Sequence, residues 1–93
     1  MSKETMEMFF GNGLNPDGLD AKTRLLLTLA GLTVLGAQAE AQIRLTVRHL
    51  IEADATKQEI AEAIAQMGMF AGVPAMTKAM ELANEVLEKD ESA

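Results

Sequence analysis

Residues 19–37 read LDAKTRLLLTLAGLTVLGA, and the fold turns on how this stretch is buried. Asp20 has the chemistry of an N-cap, with a side-chain oxygen able to accept from the free amides of a first helical turn. The helix it opens is expected to run to about Ala37. Along it Leu25, Leu26, Leu27, Leu29, Leu32, Val34 and Leu35 occupy more than one face. A helix that is apolar all round is buried on all sides. A chain of 93 residues has little room to surround one. Part of that surface is therefore expected to face another subunit.

On the N-terminal side, GNGLNPDG (residues 11–18) gathers glycine, asparagine and proline, which favour turns. Before it, KETMEMFF (residues 3–10) predicts a short helix with Met6, Phe9 and Phe10 on one side. That segment is thin as a core element and is expected to dock on a neighbouring subunit. On the C-terminal side, Ile43, Val47, Leu50 and Ile51 fall at helical spacing in a second helix over about 38–53, which Asp54-Ala55 breaks. Thr56-Lys57-Gln58-Glu59 is a capping box. Its helix is expected to reach about Ala71, with Ile60, Ile64, Met67 and, less regularly, Phe70 facing inward. Gly72 ends it, and Pro74 suits the first turn of the next. The last helix, about 74–89, places Met76, Met80, Ala83, Val86 and Leu87 in one stripe, and residues 90–93 are expected to fray. No segment alternates with period two over a useful length. These patterns describe an all-α chain of four main helices plus a short N-terminal helix. It divides into an N-terminal segment and turn (1–18), a helical domain (19–89) and a tail (90–93).

The composition narrows the chemistry. The length is that of one domain. Eight Lys and Arg against fourteen Asp and Glu give a net charge of −6 and leave no basic stripe for a phosphate backbone, so nucleic acid is not an expected partner. Cysteine is absent, which removes disulfides, thiolate nucleophiles and Cys-based metal sites. The single histidine, His49, cannot form a multi-histidine metal site within one chain. The opening MSKETMEMFF lacks the apolar run of a signal peptide, and Leu25–Leu35 is too short to span a bilayer. A cytoplasmic chain is expected, with no membrane partner, metal or cofactor.

Few side chains offer chemistry. Gly11, Gly13 and Gly18 follow no strand and fit no phosphate-loop spacing, so they read as a plain turn. His49 stands beside Arg48, with Arg44 and Glu52 about one turn away. That cluster has the means to bind and protonate a carboxylate. The plainer alternative is a solvated helix face carrying an i,i+4 Arg48–Glu52 pair. Met67, Met69, Met76 and Met80 suit either a ligand cavity or ordinary core and interface filling, the commoner use. Glu81, Glu85, Glu88, Asp90 and Glu91 read as a solubilising face.

Three segments in order, LDAKTRLLLTLAGLTVLG, QIRLTVRHLIEADATKQEIAEAI and FAGVPAMTKAMELANEVL, resemble the carboxymuconolactone decarboxylase family, a branch of the AhpD-like all-α fold. The resemblance covers Leu19 to Leu87 and looks like a short version of the family pattern. Family members typically carry a glutamate directly after the K-T-R arginine, where this chain has Leu25. The family histidine falls on Thr46, three residues before His49, and the family tyrosine on Phe70. The redox branch places a cysteine pair near Ala39 and Gln42, neither of which is cysteine, so thiol peroxidase chemistry is excluded.

The resemblance implies cofactor-independent decarboxylation of a small carboxylated lactone or ring acid. Arg44, Arg48 and Phe70 would then bind substrate, His49 would donate the proton, and Thr46 would hydrogen-bond in the family histidine's place. The departures at Leu25, Thr46 and Phe70 favour the alternative, a non-catalytic ligand-binding or structural homo-oligomer. Family membership further implies self-association as a trimer or hexamer, with a small carboxylated metabolite as the other partner.

Overall fold

In a computed structural model that describes residues 1–92, Asp20 caps its helix by accepting the Thr23 N–H at 2.9 Å. The described residues form six helical segments and no strand, so the chain is all-α. They are α1 (Lys3–Phe10), α2 (Ala21–Val34), α3 (Glu40–Glu52), α4 (Lys57–Gln66), the single turn α5 (Gly68–Ala71) and α6 (Val73–Ser92). The apolar helix α2 is central, packing against α1, α3, α4, α5 and α6. Leu25 and Leu29 of α2 meet Ile43, Val47 and Leu50 of α3, Ile60 and Ile64 of α4, and Leu82 and Ala83 of α6 in one core. Among the described residues none of the helices is long and apolar enough to cross a membrane.

One layer of helices does not cover α2. Leu27, Val34 and Leu35 are 58%, 43% and 75% exposed. Together with Gly31 they form a stripe at i, i+4, i+7 and i+8 on the open side.

Helix ends follow local chemistry more closely than periodicity. α2 stops at Val34, three residues short of the expected end. There the Gly36 N–H donates to the Thr33 carbonyl and the Ala37 N–H to the Leu32 carbonyl, the paired bonds of a Schellman turn. Gly36 takes the left-handed backbone (φ +93°) that this turn requires. α3 ends in the same way, through Asp54 and Ala55 bonded to Ile51 and Leu50. The capping box of α4 forms in full, Thr56 and Glu59 each accepting the other's N–H.

Three expectations need correction. The helix begun at Lys57 does not reach Ala71 unbroken; it ends at Gln66, and the following turn points Phe70 outward, 68% exposed. The buried stripe of α6 keeps Ala83, Val86 and Leu87 as expected, but its first half lies on Ala75, Ala79 and Leu82, with Met76 and Met80 packed at its margin. α6 also continues to Ser92, past the expected fraying, with a Lys57–Glu91 ion pair near its end. The expected fraying of Ala93 lies outside the described residues.

A fourth correction concerns α1, which docks on its own chain and not on a neighbouring subunit. Met6 is buried in the core and Phe10 packs against it, while Phe9 faces solvent. The Glu7 carboxylate accepts the N–H of Asn12 at 3.1 Å and of Ala21 at 2.9 Å, fastening α1 to the first turn of α2.

Candidate functional site

Arg44, Arg48, Ile51 and Glu52 stand at i, i+4, i+7 and i+8 of α3 and so share one face. Opposite them α6 presents Glu85, Val86, Lys89 and Asp90. The two rows enclose a cleft of about 320 Å³, floored by the aliphatic Ile51 and Val86 and walled by charged groups.

The charges are unequally engaged. Arg44 is held from both sides, 3.1 Å from the Glu85 carboxylate and 3.6 Å from that of Glu40. Glu40 also holds Lys78 at 3.1 Å, and Glu52 lies 3.4 Å from the N-terminal ammonium. Arg48 and Lys89 make no ion pair among the described residues, so the Arg48–Glu52 pair of the plainer alternative does not form. An arginine presents a planar fork that fits an oxyanion in two places at once, and a lysine adds a mobile point charge. Beside an apolar floor, this set is suited to an organic anion.

Of the sequence-predicted residues, the structure brings Arg44 and Arg48 together in this cleft and leaves the others outside its walls. His49 follows Arg48 by one residue, a rotation of about 100° around the helix. It turns toward α1, where its ring centroid lies 4.4 Å from that of Phe10 at a tilt of 41°. Thr46 is buried, and its hydroxyl donates to the Gln42 carbonyl at 2.7 Å, a bond made within its own helix. Thr33 does the same toward Leu29. Leu25, at the place of the family glutamate, is a core residue. Phe70 stands in solvent on α5, apart from the cleft.

Lys89 escaped the sequence reading, which took Asp90 for part of a solubilising face and Ile51 and Val86 for packing positions. α3 carries its own signal, two arginines one turn apart beside an aliphatic residue. Nothing in the spacing of α6 says that its last turns face those arginines, so Lys89 vanished into what looked like a solvated acidic face.

Residues 2–85 match the carboxymuconolactone decarboxylase family. The chain belongs to that family. The match begins at residue 2 and therefore takes in α1 as well as the segments quoted above up to Glu85. The chain is 58% identical over 89 residues to an uncharacterized 15.0 kDa protein in the nqo9–nqo10 intergenic region of Paracoccus denitrificans, covering 95% of this chain and 66% of that protein. It is 38% identical over 71 residues to a 4-carboxymuconolactone decarboxylase of Acinetobacter baylyi, covering 76% of this chain and 52% of the relative. The chain thus spans just under two thirds of one relative and about half of the other. This carboxymuconolactone decarboxylase family member keeps the fold while carrying Leu25, Thr46 and Phe70 at the positions discussed above.

Proposed function

We propose that this family member is the subunit of a homo-oligomer that binds a small carboxylate in the α3–α6 cleft without turning it over. One observation carries the proposal: Arg44 and Arg48 share a cleft whose walls include no histidine, tyrosine or cysteine. A decarboxylase needs a cation for the carboxylate and a proton donor where carbanion or enolate charge develops. Here the cations stand in the cleft, and His49 packs beneath Phe10 on another side of the helix. Self-association is supported by the open apolar stripe of α2. The count proposed is six, a trimer of dimers, and it rests on the family resemblance alone.

The second reading, cofactor-independent decarboxylation and hence a lyase, is favoured by the 38% identical relative that bears the decarboxylase name. In that case Arg44 and Arg48 hold the substrate carboxylate, and His49 as proton donor, Thr46 as hydrogen-bond partner and Phe70 as substrate contact have to reach it from outside the walls of the cleft. Incubation with 4-carboxymuconolactone, followed by product analysis, separates the two. The proposal expects no protein-dependent loss of substrate above a heat-denatured control. Turnover that His49→Ala abolishes, with folding intact, would establish the lyase reading instead.

A further inference from the structure

We infer that Arg48 and Lys89 are the anion anchor of the α3–α6 cleft, and that its ligand is a monocarboxylate carrying a compact apolar ring. This rests on the carboxylate-binding reading of the cleft and adds which cations hold the ligand and which class of carboxylate fits.

The anchor follows from where the positive charge of the molecule is engaged. The chain has eight Lys and Arg in all. Lys22, Arg44, Lys57 and Lys78 are in ion pairs with Glu59, Glu85, Glu91 and Glu40 respectively. The Arg24 Nε donates to the Leu19 carbonyl at 2.9 Å. Lys3, Arg24, Arg48 and Lys89 are without an ion pair among the described residues. Two of those four line one cleft, from opposite helices. In a chain with a net charge of −6, unpaired cations are scarce, and two converging on an apolar floor favour an incoming anion. Arg44 contributes less, because a ligand would have to displace two carboxylates from it.

The class of ligand follows from the rest of the wall. Ile51 and Val86 offer aliphatic surface in the same cleft as the two cations, which a ring covers and inorganic phosphate does not. Asp90 follows Lys89 in the chain and makes no ion pair among the described residues, and Glu52 and Glu85 add negative charge to the lining. A second anionic group on the ligand meets that charge and is repelled. The volume of about 320 Å³ lies at the low end of ligand pockets, which run from about 300 to 1,000 Å³ and suit one small ring.

Isothermal titration of the full chain tests this, using benzoate, phthalate, phenyl phosphate and inorganic phosphate. The variants are Arg48→Gln, Lys89→Gln, Asp90→Asn and, as a charge control away from the cleft, Lys3→Gln. All four positions are exposed, so folding, followed by circular dichroism, is expected to hold. Benzoate is expected to bind ahead of phthalate and both phosphates. Arg48→Gln should weaken it about tenfold or more, the usual effect of losing a hydrogen bond to a charged group, and Lys89→Gln by a smaller factor. Asp90→Asn should bring phthalate toward benzoate, and Lys3→Gln should change nothing. Benzoate affinity untouched by both Arg48→Gln and Lys89→Gln would overturn the anchor while leaving a carboxylate-binding protein. Equal binding of benzoate and inorganic phosphate would overturn the ring assignment. Failure of every carboxylate to bind would bring down the functional reading itself.

Discussion

Glu59 accepts the Thr56 N–H at 2.9 Å and lies 3.0 Å from the Lys22 ammonium, so one carboxylate closes the cap of α4 and ties it to α2. The Thr56 amide, and after it Lys22, hold this carboxyl below its ordinary range. Bonds from the Thr23 side chain and amide do the same for Asp20. A carboxyl whose pKa is depressed by folding contributes stability above its unfolded pKa, and that contribution is lost as pH falls through the folded value. Thermal stability is therefore expected to decline on acidification below the ordinary carboxylate range, about pH 4. Lys22 is shifted upward by the same partner, so while Glu59 is ionised the pair's contribution persists to alkaline pH and is lost as pH rises through the raised value of Lys22. Solvent screens both groups, and the effect of each is small. Glu59→Gln keeps an oxygen for the Thr56 N–H and removes the charge. In melting temperatures measured from pH 7 to pH 2.5, the variant should show a shallower acid limb than the wild type. An identical limb would place the acid sensitivity on other carboxylates.

α1 shows what fastens a short helix. Eight residues give little helical stability of their own, so Met6 in the core and the two amide bonds to Glu7 hold it in place. Gly11 leaves the room for this, since a Cβ there would meet the Glu7 carboxylate and come within 2.5 Å of the Ala21 nitrogen. Gly11→Ala is expected to destabilise the chain by about 1–3 kcal/mol, the range for overpacking a filled site. Hydrogen exchange should quicken at Asn12, Ala21 and along α1, and unchanged protection there would mean that Glu7 is not the fastening. The elements with a chemical mark at their ends were legible in the sequence: Asp20 before α2, the capping box before α4, Gly72 before α6. Gly36 carried the mark that ends α2, and the run of leucines around it hid that mark. The break at Met67 and the place of Ala75 and Ala79, and not Met76 and Met80, in the α6 stripe were not legible, because they depend on how α6 packs against its neighbours. The same gap separates the two halves of the cleft. Arg44 and Arg48 share a helix and could be paired from spacing, whereas Lys89 joins them only through packing.

Across the whole molecule, several large apolar side chains stand in solvent. Leu27, Val34 and Leu35 line the open side of α2, and Met69, Phe70 and Val73 stand out around α5. Burying a large aliphatic side chain is worth about 1.5–3 kcal/mol, so a few of these together match the stability of a small domain. Static light scattering is expected to give a mass of several times 10.0 kDa at micromolar concentration, and Leu27→Glu with Leu35→Glu should lower it. A dimer or trimer would keep the burial argument and drop the count of six; a 10.0 kDa monomer that unfolds cooperatively would remove both. The central claim, however, concerns which part of α3 works: the arginine face in the cleft, and not the face that carries Thr46 and His49. Amide shift mapping by NMR during a benzoate titration tests it most directly. Perturbations are predicted to gather at Arg48, Ile51, Val86 and Lys89, and a set centred on Phe10, Thr46 and His49 would contradict the account.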